Sequence, residues 1–78
     1  MAQILSSLPG TFYMKPAPDQ DPYKVKGDSV EVGDTIALVE VMKTFVEIKA
    51  ESAGTFARYV AEDGKPVTAG AVLAELED

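Results

Sequence analysis

Apolar residues along this chain alternate with polar ones in short runs, and Gly or Pro breaks the runs apart. Alternation of period two is the signature of half-buried strands, because successive side chains leave a strand on opposite faces. No stretch sustains the spacing of an amphipathic helix. The runs predict strands near 3–6, 10–14, 23–26, 35–41, 44–50, 54–61 and 71–76, an all-β pattern of short strands.

Two internal matches organise the runs. GTF at Gly10-Thr11-Phe12 returns at Gly54-Thr55-Phe56, and GDSVEVGDTIALVE from Gly27 matches GKPVTAGAVLAELE from Gly64. In the second pair Gly27, Val30, Gly33, Ala37 and Glu40 fall on Gly64, Val67, Gly70, Ala74 and Glu77, and Ile36 falls on Leu73. Two matches in the same order predict two half-domains of one strand layout, related by a pseudo-two-fold axis. The spacings differ: 44 positions separate the GTF pair and 37 separate Gly27 from Gly64, so the first half is longer by seven residues. The surplus falls in KPAPDQDPY, Lys15 to Tyr23, whose Pro and Asp content predicts a stiff surface loop. Asp19 and Asp21 within it read as turn residues.

The segment VEVMKTFVEI, Val39 to Ile48, predicts a hairpin with Met42 and Lys43 at its tip, in a loop of two residues or of four, which keep the same facing pairs. In that register Val41 faces Thr44, Val39 faces Val46 and Ala37 faces Ile48, all on one largely apolar face. Glu40 with Phe45 and Leu38 with Glu47 form the other face, which is mixed and suits solvent. The counterpart of the tip in the second half is where the chain begins and ends, so tip and termini are expected at opposite ends. Two-residue loops favour Asn-Gly or Gly-x, because their backbone needs positive φ. Met-Lys breaks that rule, and a break in local logic marks a candidate functional site.

Composition narrows the chemistry. The 78 residues make one domain, 1–78, with the insertion at about 15–23. There is no Cys and no His, which removes disulfides, thiolate metal sites and the commonest general base. No catalytic triad or metal cluster is evident, so the chain does not read as an enzyme acting alone. A net charge of −6 argues against nucleic acid, whose phosphates need clustered Lys and Arg. The start lacks the basic and apolar regions of a secretory signal, and no apolar run reaches membrane-spanning length, so a cytoplasmic protein is expected. Lys43 has no neighbour that would activate it as a nucleophile. As an accessible primary amine on a hairpin it is better suited to carry an attached group.

The residues EVMKT, Glu40 to Thr44, resemble the attachment motif of biotinyl domains, usually E-A-M-K-M. SSLPGTFY, Ser6 to Tyr13, resembles the opening strand of that family, and ESAGTF and EDGKPV match its second half. KPAPDQDPY is similar to the protruding thumb of the carrier of bacterial acetyl-CoA carboxylase. The resemblance covers nearly the whole chain. It implies a flattened β-barrel or sandwich of two four-stranded antiparallel sheets with quasi-two-fold symmetry. It implies a carrier in which a biotin protein ligase joins biotin to Lys43 through an amide. The biotin is carboxylated by a biotin carboxylase and serves a carboxyltransferase, as in fatty acid biosynthesis, with catalytic residues on those partners. Met42, Val41 and Thr44 would flank the cofactor, Glu40 would serve recognition by the ligase, and Lys15, Pro16, Ala17, Pro18 and Asp19 would form the thumb. No metal is implied.

Two further readings stay open. Lipoyl domains share the fold, but usually have Asp where Met42 stands and lack the thumb. An unmodified interaction domain of the same fold would leave Lys43 as a surface residue. The chain also departs from the family pattern. Val41 and Thr44 replace the usual Ala and Met, and their β-branching stiffens the tip. Lys15 stands where the related thumb has a Thr that touches biotin. The usual long Ala/Pro-rich N-terminal region is missing, and MAQILSS reads as a natural start, so a free-standing short carrier is expected.

Overall fold

A computed structural model describes residues 2–77. Eight strands follow one another: β1 Ala2–Leu5, β2 Gly10–Tyr13, β3 Ser29–Val30, β4 Thr35–Val41, β5 Thr44–Lys49, β6 Gly54–Tyr59, β7 Pro66–Val67 and β8 Val72–Glu77. They form two antiparallel four-stranded sheets, ordered β1-β8-β6-β3 and β5-β4-β2-β7. No helix of the described residues is long and apolar enough to cross a membrane.

The sequence repeat is a structural repeat. Carrying β1, β2, β3 and β4 onto β5, β6, β7 and β8 exchanges the two sheets strand for strand. Registers are exchanged as well: Val39↔Val46 and Ala37↔Ile48 in one sheet answer Leu76↔Ala2 and Ala74↔Ile4 in the other. The tip at Met42-Lys43 therefore has its counterpart beyond the Ala2–Leu76 pair of the first and last strands. The short third strand of each half crosses to the opposite sheet, β3 onto β6 and β7 onto β2, which interlocks the halves.

The core is built from repeat-related pairs. Phe12 and Phe56, Ile36 and Leu73, Val39 and Leu76, and Ala37 and Ala74 are all buried between the sheets. Phe12, Phe56, Val39 and Leu76 stand at inward positions of alternating strands, whereas Ile36-Ala37 and Leu73-Ala74 are consecutive residues that are both buried. Gly10 and Gly54 begin the paired GTF strands at points of close backbone approach. A Cβ at Gly10 would lie 2.5 Å from the Glu40 carbonyl oxygen, and one at Gly54 would lie 3.0 Å from that of Glu77. Glu40 and Glu77 are themselves a repeat pair.

The fold corrects the sequence reading in three places. Residues 23–26 are not a strand. Their backbone is taken up by other partners: Tyr23 N bonds Met14 O, Lys24 N bonds the Tyr59 hydroxyl, and Val25 N bonds Asp28 Oδ2. The ladder starts later, at β3, which with β7 escaped notice because two residues cannot display an alternation. The strand expected over 54–61 stops at Tyr59, because Val60 N and Ala61 N converge on one carbonyl, that of Leu73. Leu38, placed on the solvent face, is only 8% exposed. The insertion folds back over it.

Candidate attachment site at the hairpin tip

The β4–β5 hairpin adopts the register the sequence predicted, with Val41↔Thr44, Glu40↔Phe45, Val39↔Val46, Leu38↔Glu47 and Ala37↔Ile48. Met42 and Lys43 alone make the turn. Their φ angles are 50° and 68°, both in the left-handed region. That is the backbone of a type I′ turn, whose twist matches that of the flanking strands. Left-handed backbone costs a side-chain-bearing residue about 1–2 kcal/mol. The long ladder of β4 and β5 holds the two residues there against that cost. Met42 is 94% exposed and Lys43 is exposed, so neither side chain packs on the fold. Val41 packs partly against the core, and Thr44 faces solvent.

Beside the tip, the outer face of the second sheet carries a small cluster. The Tyr13 hydroxyl donates a 3.1 Å hydrogen bond to Glu40 Oε1. The Tyr13 and Phe45 rings lie 6.0 Å apart at a tilt of 52°. The bond to Glu40 holds the phenol proton and raises the Tyr13 pKa, with desolvation and the charges of Glu40 and Asp63 acting in the same direction.

The inserted loop is tied down at both roots. Met14 N bonds Asp63 Oδ1 at 2.8 Å, and Tyr23 N closes on Met14 O at 2.9 Å. Lys24 Nζ donates to Ser29 O at 3.0 Å and to Asp34 Oδ2 at 3.2 Å. The backbone N–H of Glu31 and then Lys24 hold the Asp34 carboxyl below its ordinary pKa. Gln20 N bonds Ala17 O, making the outer turn of the loop. Between loop and sheet lies a hollow of about 230 Å³, lined by Tyr13, Lys15, Pro16, Ala17, Pro18, Leu38, Phe45 and Asp63. A cavity of about 150 Å³ accepts a benzene ring, so this one has room for a somewhat larger ring. A second hollow of the same volume lies where β1 nears the far end of β5, around Gln3, Ser7, Lys49 and Glu51, and includes none of the tip residues.

Of the residues singled out in the sequence, Lys15, Pro16, Ala17 and Pro18 are brought together against the sheet. Asp19 is exposed and does not line the hollow. Tyr13, Leu38, Phe45 and Asp63 were missed. The parity of β2 was the available signal for Tyr13: with Phe12 facing the core, Thr11 and Tyr13 must face out, on the side where Glu40 also points.

A family described as "Biotin-requiring enzyme" matches residues 2–76. The chain belongs to this family. It is 43% identical over 65 residues to the biotin carboxyl carrier protein of acetyl-CoA carboxylase 2, chloroplastic, of Arabidopsis thaliana, covering 83% of this chain and 26% of that protein. It is 37% identical over 76 residues to the biotin carboxyl carrier protein of acetyl-CoA carboxylase of Pyropia yezoensis, covering 97% of this chain and 48% of that one. The protein of the same description from Haemophilus influenzae is 38% identical over 64 residues, covering 82% and 41%. The chain thus spans between about a quarter and a half of the length of these relatives. Among solved structures, the crystal structure of Kluyveromyces lactis urea carboxylase matches with a TM-score of 0.77 and 28% identity, over 97% of this chain and 6% of that one.

Proposed function

We propose that this chain is a biotin carboxyl carrier, with biotin joined to Nζ of Lys43. The observation that carries the reading is the turn itself: two residues with side chains, held left-handed, put an unencumbered amine at the end of a rigid hairpin. Nothing in the packing calls for Met42 or Lys43 there. Presentation to a modifying enzyme accounts for both.

The residues present fit biotin. The amine is accessible, and the hollow under the loop is ring-sized, with walls from Leu38, Phe45, Pro16 and Pro18. Lys15 and Asp63 add a donor and an acceptor at its rim. Biotin, when attached, supplies a ureido nitrogen that takes up and releases a carboxyl group. The chain's own part is to tether, present and shelter. Tethering keeps the reacting group at a high local concentration for successive partners, and the anchored loop keeps the shelter in shape.

By this reading the chain is not itself an enzyme. It serves a biotin carboxylase and a carboxyltransferase in the cytoplasm, with neither nucleic acid nor membrane as partner. The names of the curated relatives favour acetyl-CoA carboxylase, hence fatty acid biosynthesis. A biotin protein ligase would modify Lys43 and read Glu40. Met42, Val41 and Thr44 would flank the attached chain, and Lys15, Pro16, Ala17 and Pro18 would cover it.

Intact mass after incubation with biotin ligase, biotin and ATP tests this. The expected result is a gain of one biotinyl group in the wild type and none in Lys43→Arg, with the same fold by circular dichroism. A wild type that stays unmodified, or a Lys43→Arg variant that still gains the group, overturns the assignment. A lipoyl-sized gain from lipoate ligase in its place would move the chain to the lipoyl carriers.

A further inference from the structure

Glu40 stands three residues before Lys43 on a two-stranded ribbon, and its carboxylate is not left to wander. Tyr13, on the neighbouring strand β2, donates its hydroxyl proton to Oε1 at 3.1 Å. Phe45, the cross-strand partner of Glu40, stands on the other side, with its ring 6.0 Å from that of Tyr13. Tyr13 is itself fixed in β2, between β4 and β7. One carboxylate oxygen is thereby occupied, and Oε2 is left for a donor arriving from outside.

We propose that Tyr13 is a positioning residue for the modification of Lys43: it orders the Glu40 carboxylate in the arrangement that the modifying enzyme reads. The inference rests on the reading of Lys43 as the attachment site and of Glu40 as a recognition group. A free glutamate side chain must be immobilised when a partner binds it, and that loss of rotamer freedom weakens binding. A side chain already held by a hydrogen bond loses less. The ordering acts on encounter between the carrier and its modifying enzyme, not on bond formation at Nζ. Its signature is therefore a change in KM with kcat preserved.

The same arrangement gives Tyr13 a second contact of consequence, because its ring also lines the hollow under the inserted loop. The shelter and the recognition carboxylate share one side chain.

The test is steady-state kinetics of biotin transfer by biotin ligase to the whole chain, with wild type, Tyr13→Phe, Glu40→Gln and the double variant. Tyr13→Phe keeps the ring and removes only the donor. The expected result is a KM raised by about two- to tenfold, the ordering of one rotamer-rich side chain expressed as a binding constant, with kcat unchanged. In the Glu40→Gln background, Tyr13→Phe should add nothing, because it acts through Glu40. Urea denaturation of each variant separates positioning from loss of fold: a merely structural role would raise KM only in proportion to the folded fraction lost, and would add to Glu40→Gln. Tyr13→Phe with wild-type KM overturns the proposal, as does an effect that is additive in the double variant. Glu40→Gln with wild-type KM overturns it by removing the recognition role. Failure of the wild type to accept biotin at all would instead overturn the reading of Lys43 and the proposal with it.

Discussion

The hydroxyl of Tyr59 donates a 2.8 Å hydrogen bond to the carbonyl of Ile36, joining β6 of one sheet to β4 of the other across the core. Ile36 lies at the irregularity in the β4–β5 ladder between Thr35 and Ala37. Tyr59 thus takes up a carbonyl beside that break. The Tyr59 hydroxyl oxygen in turn accepts from Lys24 N at 3.3 Å, so it also secures the root of the inserted loop. Phe12 and Phe56 pack on the ring, with centroids 6.0 and 4.7 Å away.

Removing this hydroxyl should weaken the fold without disturbing its shape. Tyr59→Phe is expected to lower the unfolding free energy by about 1–2 kcal/mol, since it leaves the carbonyl of the buried Ile36 and the N–H of Lys24 without their partner. Urea denaturation at neutral pH measures the loss. Alkaline titration adds a second check. Burial pushes the Tyr59 pKa up from 10.0 to about 12. The unfolded state therefore gives up its proton first. This group's stabilisation is complete below pH 10 and declines as pH rises toward about 12. The decline is on the order of 1 kcal/mol once solvent screening of a partly exposed group is allowed for. Tyr59→Phe should be less alkali-sensitive than the wild type over that window. Equal sensitivity would mean that the hydroxyl is not held as the geometry requires.

The repeat-related glycines Gly10 and Gly54 should not tolerate alanine equally. At Gly10 the added Cβ meets the Glu40 carbonyl oxygen at 2.5 Å and Val39 Cγ1 at 2.6 Å, whereas at Gly54 the nearest atom is the Glu77 oxygen at 3.0 Å. Gly10→Ala must push β2 away from β4 beneath the tip. A loss of about 2–4 kcal/mol is expected, against about 1 kcal/mol for Gly54→Ala, by chemical denaturation. The reverse order would contradict the close approach at Gly10.

The tip sets local stability against presentation. Asn accepts left-handed backbone more readily than Met does, so Met42→Asn should raise stability by about 0.5–1 kcal/mol. It should also slow biotin incorporation at Lys43, because the exposed thioether offered to the modifying enzyme is gone. Denaturation and timed intact-mass measurements on one variant test both halves. A destabilised Met42→Asn would show that Met42 serves the fold after all.

Much of this is legible in the chain itself. The hairpin register followed from parity: one apolar face was possible for Ala37, Val39, Val41, Thr44, Val46 and Ile48 in a single alignment. The conflict at Met42-Lys43 followed from turn chemistry, and the two left-handed φ values are its physical form. The seven-residue surplus in the first half located the loop. Less was readable where one element covers another. Leu38 looked solvent-facing because its strand parity says so, and parity carries no information about a loop folding back from residues 14–23. Asp19 was placed in the thumb by the resemblance of KPAPDQDPY and lies in the inserted loop, where the Ala17–Gln20 turn leaves it exposed, a detail the sequence does not record.

By itself, the sequence determined the period-two strands, the doubled half-domain and the one turn whose residues defy turn preferences. These are local or repeated features, carried by side-chain parity and by residue types suited or unsuited to a backbone shape. Tertiary structure alone decided that Tyr13 would meet Glu40, 27 residues away in the chain, and that Lys15 would close a hollow against Phe45. It also decided that two-residue strands such as β3 and β7 would lock the halves together. Such contacts depend on which strands lie side by side and on how far a side chain reaches, and no pattern along one strand records either.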